Sequence, residues 1–249
     1  MLDVAIDAAK KGGDLAYRYF KTQPKVSYKP DNSPVTRADI EVEKLIRKII
    51  SKKFPGHGFI GEESGKNKES SKYVWVVDPI DGTKQFIRSI PFWTTLVALL
   101  ENGKPILGVA YSPCTDELFT AQKGKGTYLN GKRIRVSKIS DLRYAYLSYS
   151  SITPFQDKNK IEGFLKICGS VHSQRGYGDT LGYMLLMQGK TDIMLEAKDD
   201  IYDIAAPSIL VEEAGGKFTD FFGKFSITSG VAVATNGLLH NQVLKILNS

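Results

Sequence analysis

Apolar residues recur at Ile6, Ala9, Ala16 and Phe20 within residues 3–21, a spacing that predicts a helix. A second helix is predicted from Arg37 to Lys53, with Val42, Ile46, Ile49 and Ile50 inward and Pro55-Gly56 ending it. Thr36-Arg-Ala-Asp39 has capping-box spacing with Asp in place of the usual Glu or Gln, so Asp39 falls in a first helical turn. A short strand near Gly58 to Ile60 leads to the acidic loop Gly61-Glu62-Glu63-Ser64-Gly65. The apolar run Tyr73 to Val77 then reads as a buried strand running into Asp78-Pro79. Beyond the turn Asp81-Gly82-Thr83 and a helical stretch, strands are predicted at Thr94 to Leu100, Pro105 to Ser112, Glu117 to Ala121 and Thr127 to Leu129. Asn102-Gly103 and Asn130-Gly131 supply hairpin turns for an antiparallel meander.

From about Ser137 the elements alternate. A helix near Thr180 to Gln188, a strand Asp192 to Leu195, a helix near Tyr202 to Ala214, a strand ending at Asp220, a strand Val231 to Thr235 and a helix from Leu238 are predicted. Gly215-Gly216 stops the helix that contains Pro207. The pattern reads as two α/β subdomains joined without a flexible linker, an α+β half over residues 1–137 and an α/β half over 138–249.

The chain has 249 residues, 42% of them apolar and 24% charged, which is ample for a packed core and excludes a disordered, collagen-like or disulfide-scaffold protein. No apolar run approaches the roughly 18 residues needed to span a bilayer, and charges from Asp3 onward break the amino-terminal apolar stretch. The expectation is a cytoplasmic protein with no membrane partner. Lysine and arginine exceed aspartate and glutamate by 34 to 27, a net charge of +7 that favours anionic partners. These cations are scattered in turns such as Lys123-Gly-Lys125-Gly126 without interleaved aromatics, so a small phosphorylated ligand fits better than nucleic acid. Two cysteines and three isolated histidines form no metal-ligand spacing, and there is no GxSxG elbow. Catalysis must rest on carboxylates.

Glu62, Asp78 and Asp81 fall within 20 residues, all in predicted loops at the ends of elements. Two carboxylates 4 Å apart repel by about 1 kcal/mol in water and about 4 kcal/mol near a protein surface, and no cationic side chain lies between Asp78 and Asp81. A hard divalent cation such as Mg²⁺ is the natural counter-charge. Gly82 opens a predicted helix whose first N–H groups can cradle a phosphate. Metals beside an anion site meet the needs of phosphoryl transfer to water. Singly, these residues also read as helix caps, turns or a solvated loop.

The ordered strings Gly61-Glu62-Glu63-Ser64 and Trp75-Val-Val-Asp78-Pro79-Ile80-Asp81-Gly82-Thr83 resemble the GEES and WxxDPxDGT motifs of the inositol-monophosphatase-like family. Tyr202-Asp203-Ile204-Ala205-Ala206 followed by Val211-Glu-Glu-Ala-Gly-Gly216 is similar to its WDxAA and EAGG motifs, with Tyr202 in place of Trp. The resemblance runs from about Leu2 to Asn248. It implies a layered αβαβα sandwich of the inositol monophosphatase and fructose-1,6-bisphosphatase type, and a Mg²⁺-dependent, Li⁺-sensitive phosphatase working as a homodimer. By the same resemblance, two or three Mg²⁺ serve each active site. Glu62, Asp78 and the Ile80 carbonyl hold one ion, and Asp78, Asp81 and Asp203 a second. Thr83, paired with Asp39, orients or deprotonates the attacking water, and Glu62 counts with them in catalysis.

Substrate choice within the family rests on other positions. Lys84-Gln85-Phe86 after the DGT turn is similar to histidinol-phosphate and bisphosphate-nucleotide phosphatases. Arg175-Gly-Tyr-Gly-Asp179, followed by Gly182-Tyr183, resembles the RxxGDxxGY stretch of histidinol-phosphate phosphatases. That implies hydrolysis of histidinol phosphate, a step of histidine biosynthesis, with Gly82, Thr83, Lys84, Arg175, Asp179 and Glu196 at the substrate. Glu196 lies where the family places a substrate-contacting acid, able to pair with an ammonium or accept a sugar hydroxyl. Arg175 and Asp179 could instead form an ion pair at i, i+4. Inositol 1-phosphate and adenosine 3′,5′-bisphosphate are the alternative substrates, and a basic phosphate-ligand or nucleic-acid-binding protein the non-enzymatic alternative.

Overall fold

A computed structural model describes residues 1–22, 25–29 and 34–249. In chain order the elements are α1 (Leu2–Phe20), β1 (Val26–Tyr28), β2 (Pro34–Thr36), α2 (Arg37–Lys53), β3 (Gly58–Gly61), β4 (Gly65–Asn67), β5 (Tyr73–Asp81) and α3 (Thr83–Phe86). The strands β6 (Thr94–Glu101), β7 (Lys104–Ser112), β8 (Glu117–Gln122), β9 (Gly126–Leu129) and β10 (Lys132–Ile134) follow. Then come β11 (Tyr146–Tyr149), α4 (Thr153–Asp157), α5 (Ile161–Ser170), β12 (Ser173–Arg175), α6 (Asp179–Met187), β13 (Ile193–Glu196), α7 (Ile201–Glu213), β14 (Lys217–Thr219), β15 (Ala232–Thr235) and α8 (His240–Leu247).

Three apolar cores separate five layers. Ala5, Ala9 and Ala16 of α1 and Val42 and Ile46 of α2 pack on one face of a sheet ordered β10-β9-β8-β7-β6-β5-β3-β4, against Trp75, Val77, Val97 and Leu99. Val74, Val76, Leu96 and Ala98 on its other face meet Met184 and Met187 of α6 and Ile204 and Leu210 of α7. Those helices also cover Met194, Ala232 and Ala234 of a second sheet, ordered β12-β11-β13-β15-β14. Its far face, with Leu147, Ile193 and Val233, is closed by Phe155, Phe164, Ile167, Val243 and Leu247 from α4, α5 and α8. The result is the αβαβα sandwich. Because β5 is covered on both faces, its sequence is continuously apolar rather than alternating.

The meander is antiparallel from β5 to β10, with Asn102-Gly103 and Asn130-Gly131 at positive φ as two-residue hairpin turns require. β3, however, pairs parallel to β5. Asp78 and Asp81 are also not in loops as predicted, but inside β5. The register against β6 shifts between them: Asp78 opposes Leu96 and Asp81 opposes Thr94, so three steps of β5 match two of β6. In a regular strand residues three apart point to opposite faces. The bulge at Pro79-Ile80 restores both aspartates to the face covered by α6 and α7, and Thr95 Oγ1 fixes it by donating to the Pro79 carbonyl at 2.9 Å. The predicted helix after Asp81 is the single turn α3, too short to sum a useful dipole, so any anion there is met by individual N–H groups.

Candidate active site

A cleft of about 150 Å³ opens where the carboxyl ends of β3 and β5 face the amino ends of α6 and α7. Glu62, Asp78, Ile80 and Asp81 line it from one side, Gly82 to Gln85 from the α3 turn, and Asp179, Thr180, Tyr183, Asp199 and Asp203 from the other. Gly82 sits at φ = 90°, and a side chain there would press on the Phe92 carbonyl at 3.1 Å, so this turn admits only glycine without strain.

Asp78, Asp81 and Asp203 each present a carboxylate oxygen within 4.8 Å of the others. The two β5 acids are almost fully buried. Burial first, then the mutual repulsion of the acids and of neighbouring Glu62 and Asp179, pushes Asp78 and Asp81 well above the ordinary carboxylate range. Burial pushes Asp203 up to about 6, against the backbone N–H it accepts from Asp200 at 2.6 Å. Such a set of hard oxygens at such a separation, with the Ile80 carbonyl beside it, fits a hard divalent cation and relieves its repulsion on binding one. The Ile80 carbonyl already accepts from Thr83 Oγ1 at 3.0 Å and retains a second lone pair.

Asp39 and Asp203 are positioned alike, each the third residue of its helix in a capping box. Asp39 Oδ2 accepts from the Thr36 N–H at 2.7 Å and the Thr36 hydroxyl at 2.8 Å, while its Oδ1 is buried with no partner. The capping reading is therefore met by one oxygen, and the other is left over. Burial pushes Asp39 up to about 6. The expected Thr83–Asp39 pairing is not formed, because the Thr83 hydroxyl proton goes to Ile80 and the Thr36 groups occupy Asp39 Oδ2.

The Glu62-Glu63-Ser64 turn is held by two residues that sequence reading did not identify. Lys29 Nζ reaches Glu62 Oε1 at 2.8 Å and Glu63 Oε1 at 2.6 Å. Burial opposes the Lys29 charge, but those two hydrogen bonds outweigh it and hold the ammonium above the ordinary lysine range. Glu62 itself is pushed up to about 7 by burial, with Lys29 pulling the other way. Beneath the turn, buried Glu43 of α2 accepts from the Glu63 N–H at 2.7 Å and the Ser64 N–H at 2.8 Å. Its one legible sign is an acid on the inward, apolar stripe of α2, four residues after Asp39.

On the opposite wall Asp179 Oδ2 accepts from Gln85 Nε2. Lys84 lies exposed at the rim. Two expected substrate residues are elsewhere. Arg175 is exposed on β12, where its guanidinium donates to Ser173 Oγ and the Gln174 carbonyl rather than to Asp179, so the i, i+4 ion pair is not formed and Arg175 does not line the cleft. Residue 175 precedes α6 and lies on a strand, which turns its side chain away. Glu196 is buried behind Asp179, its Oε1 accepting the Asp179 N–H at 3.3 Å, and does not line the cleft. Tyr183 and Asp199, unnoticed in the sequence as site residues, do line it.

The profile of the inositol monophosphatase family matches residues 1–249. The chain belongs to this family. Histidinol-phosphatase of Mycobacterium tuberculosis is 38% identical over 254 residues, covering 100% of this chain and 98% of that one. Inositol monophosphatase 2 of Solanum lycopersicum is 35% identical over 259 residues, covering 99% and 97%. The crystal structure of extragenic suppressor protein suhB from Bartonella henselae superposes with a TM-score of 0.92 at 32% identity, covering 99% and 98%. The protein is thus an inositol monophosphatase family phosphatase, a phosphoric monoester hydrolase, and its acid cluster is where a member of this metal-dependent family can bind metal. Among the described residues no helix is long and apolar enough to cross a membrane.

Proposed function

We propose that this phosphatase is Mg²⁺-dependent and hydrolyses histidinol phosphate, a small ester whose alcohol part carries an ammonium and an imidazole. The observation that carries the substrate reading is Asp179 on the cleft wall, with Asp199 nearby, in addition to the acids that fit a metal. Carboxylates left over beside a bound neutral polyol gain hydrogen bonds but no counter-charge, whereas an ammonium supplies both. The identity with a histidinol-phosphatase supports the same substrate.

Asp78, Asp81 and Asp203, with Glu62 and the Ile80 carbonyl, would hold two or three dications. When bound, these ions neutralise phosphate charge and lower the pKa of a water nucleophile. Gly82, Thr83 and Lys84, on the same side of the cleft, would bind the phosphate oxygens. Thr83 keeps an acceptor lone pair after donating to Ile80, and Asp39 keeps its unpartnered Oδ1. These are the groups able to orient the nucleophile and take up its proton.

Inositol 1-phosphate is the second reading, favoured by the identity with Inositol monophosphatase 2. Measuring kcat/KM for histidinol phosphate, inositol 1-phosphate and adenosine 3′,5′-bisphosphate in Mg²⁺ tests the choice. Histidinol phosphate is expected to lead by at least about tenfold, the worth of one charge-assisted hydrogen bond. A lead for inositol 1-phosphate overturns the substrate, and full activity in EDTA overturns the metal.

A further inference from the structure

Asp179 is held by more contacts than a surface acid needs. It opens α6 with a left-handed backbone, φ = 53°, a conformation that among non-glycine residues aspartate and asparagine adopt most readily. The surroundings here come from two separate elements. Gln85, from the α3 turn 94 residues earlier, donates its Nε2 to Asp179 Oδ2. Glu196, at the end of β13, accepts the Asp179 N–H.

The choice of glutamine matters chemically. An amide satisfies one carboxylate oxygen and fixes its direction, yet brings no positive charge. A lysine or arginine at the same place would fix Asp179 equally well and cancel it. The neighbouring cation, Lys84, is exposed at the rim and favours the Asp179 charge through space, against the burial that disfavours it. Asp179 thus stands on the same cleft wall as Gln85, with one oxygen fixed by an uncharged donor. A carboxylate fixed in advance loses no rotamer freedom when a ligand arrives, which is how a partly solvated acid can discriminate between ligands.

We infer that Gln85 is a positioning residue for substrate selection, which fixes Asp179 on the cleft wall so that Asp179 reads a positive charge on the alcohol part of the ester. The inference rests on the cationic-substrate reading above and adds to it the residue that makes the acid selective. A catalytic role is not assigned to Gln85, since it contacts Asp179 rather than the metal-fitting acids.

The test is the ratio of kcat/KM for histidinol phosphate to that for glycerol 2-phosphate, an uncharged-alcohol ester, in wild type, Gln85→Leu, Asp179→Asn and the double variant, all checked for cooperative melting. Gln85→Leu is expected to lower the ratio about tenfold, mainly through KM for histidinol phosphate, and to have no further effect in the Asp179→Asn background. Gln85→Glu, which keeps size but sets a second carboxylate against Asp179, serves if Gln85→Leu melts without cooperativity, and is expected to lower the ratio at least as far. A wild type with no preference for the charged ester overturns both the substrate reading and this inference. A clear wild-type preference that survives Gln85→Leu and Gln85→Glu, or an equal loss with and without Asp179, overturns the Gln85 assignment alone.

Discussion

Asp81 Oδ2 accepts the backbone N–H of Thr180 at 2.8 Å, across 99 residues of sequence, and so fastens the start of α6 to the bulged end of β5. The same carboxylate belongs to the cluster with Asp78 and Asp203. One side chain thus closes the cleft and supplies charge to it, and the two tasks need different chemical properties. The hydrogen bond needs an acceptor oxygen. A metal site needs a negative charge.

Asp81→Asn separates them. The amide oxygen can still accept from Thr180, while one of three crowded buried charges is removed. Phosphate release in Mg²⁺ is expected to fall by at least about 100-fold, the upper range seen when metal-site partners are lost. The metal-free variant is expected to melt above metal-free wild type, because burial and mutual repulsion both disfavour the charged acids. Chelation of wild type should reproduce the loss of activity, with Mg²⁺ restoring it. An Asp81→Asn protein that retains wild-type turnover would remove Asp81 from the proposed metal set.

Glu43 can be tested through the turn that carries Glu62. Glu43→Ala leaves the Glu63 and Ser64 N–H groups without their acceptor and should lower stability by about 2–4 kcal/mol, two lost charge-assisted bonds in a part-buried setting. Glu43→Gln keeps one acceptor oxygen and should lose about half as much. Urea unfolding measures both. Equal stability of the alanine variant and wild type would mean that water replaces the carboxylate at no cost.

Helices α1 and α2 were legible to within about a residue, α2 at both ends, because each buries one stripe and its period survives in the sequence. Within residues 138 to 178, β11, α4 and β12 were not, since they are only three to five residues long and carry too few positions to show a period. The charged ends of apolar runs revealed Glu62, Asp78 and Asp81 as candidates, and the family resemblance added Asp203. Their convergence needed the Pro79-Ile80 bulge, whose register shift depends on pairing with β6. Lys29 looks like a solvated charge in sequence and Glu43 shows only as an acid on the inward stripe of α2, and it is their partners 20 to 34 residues away that tie them to the Glu62 turn. Arg175 shows the opposite error, where a motif fixes distance along the chain but not the direction of a side chain on a strand.

Lys29 sits where a dication bound by Glu62 would feel its charge. Lys29→Met removes a competitor for Glu62 and a like charge close to the metal, so the Mg²⁺ concentration for half-maximal activity should fall about threefold to tenfold, in keeping with about 1 kcal/mol for a part-exposed ion pair. Titration of activity with Mg²⁺ reads this directly. A rise in the half-maximal concentration would show instead that Lys29 holds Glu62 in its binding position.

His240 gives the fold a pH dependence that lies apart from the cleft. The ring is fully buried at the start of α8, with Nε2 2.9 Å from Thr219 Oγ1 and Nδ1 3.1 Å from Thr235 Oγ1. Burial, aided by the nearby Lys217 charge, lowers its pKa to about 4 from an ordinary value near 6.5. Between those values the unfolded chain binds a proton that the folded protein excludes, so this contribution to stability is complete above about pH 6.5 and is lost as pH falls toward 4. Its size is about 3 kcal/mol, at 1.36 kcal/mol per pKa unit. The buried acids of the cleft act in the opposite sense, because their raised pKa values favour the protonated fold as pH falls. Wild type must therefore be compared with His240→Asn, which keeps hydrogen-bonding groups for the two threonines without a titrating ring. Urea unfolding from pH 7 to pH 4 should show wild type losing about 3 kcal/mol more than the variant, and parallel stability curves would rule out the histidine as the source.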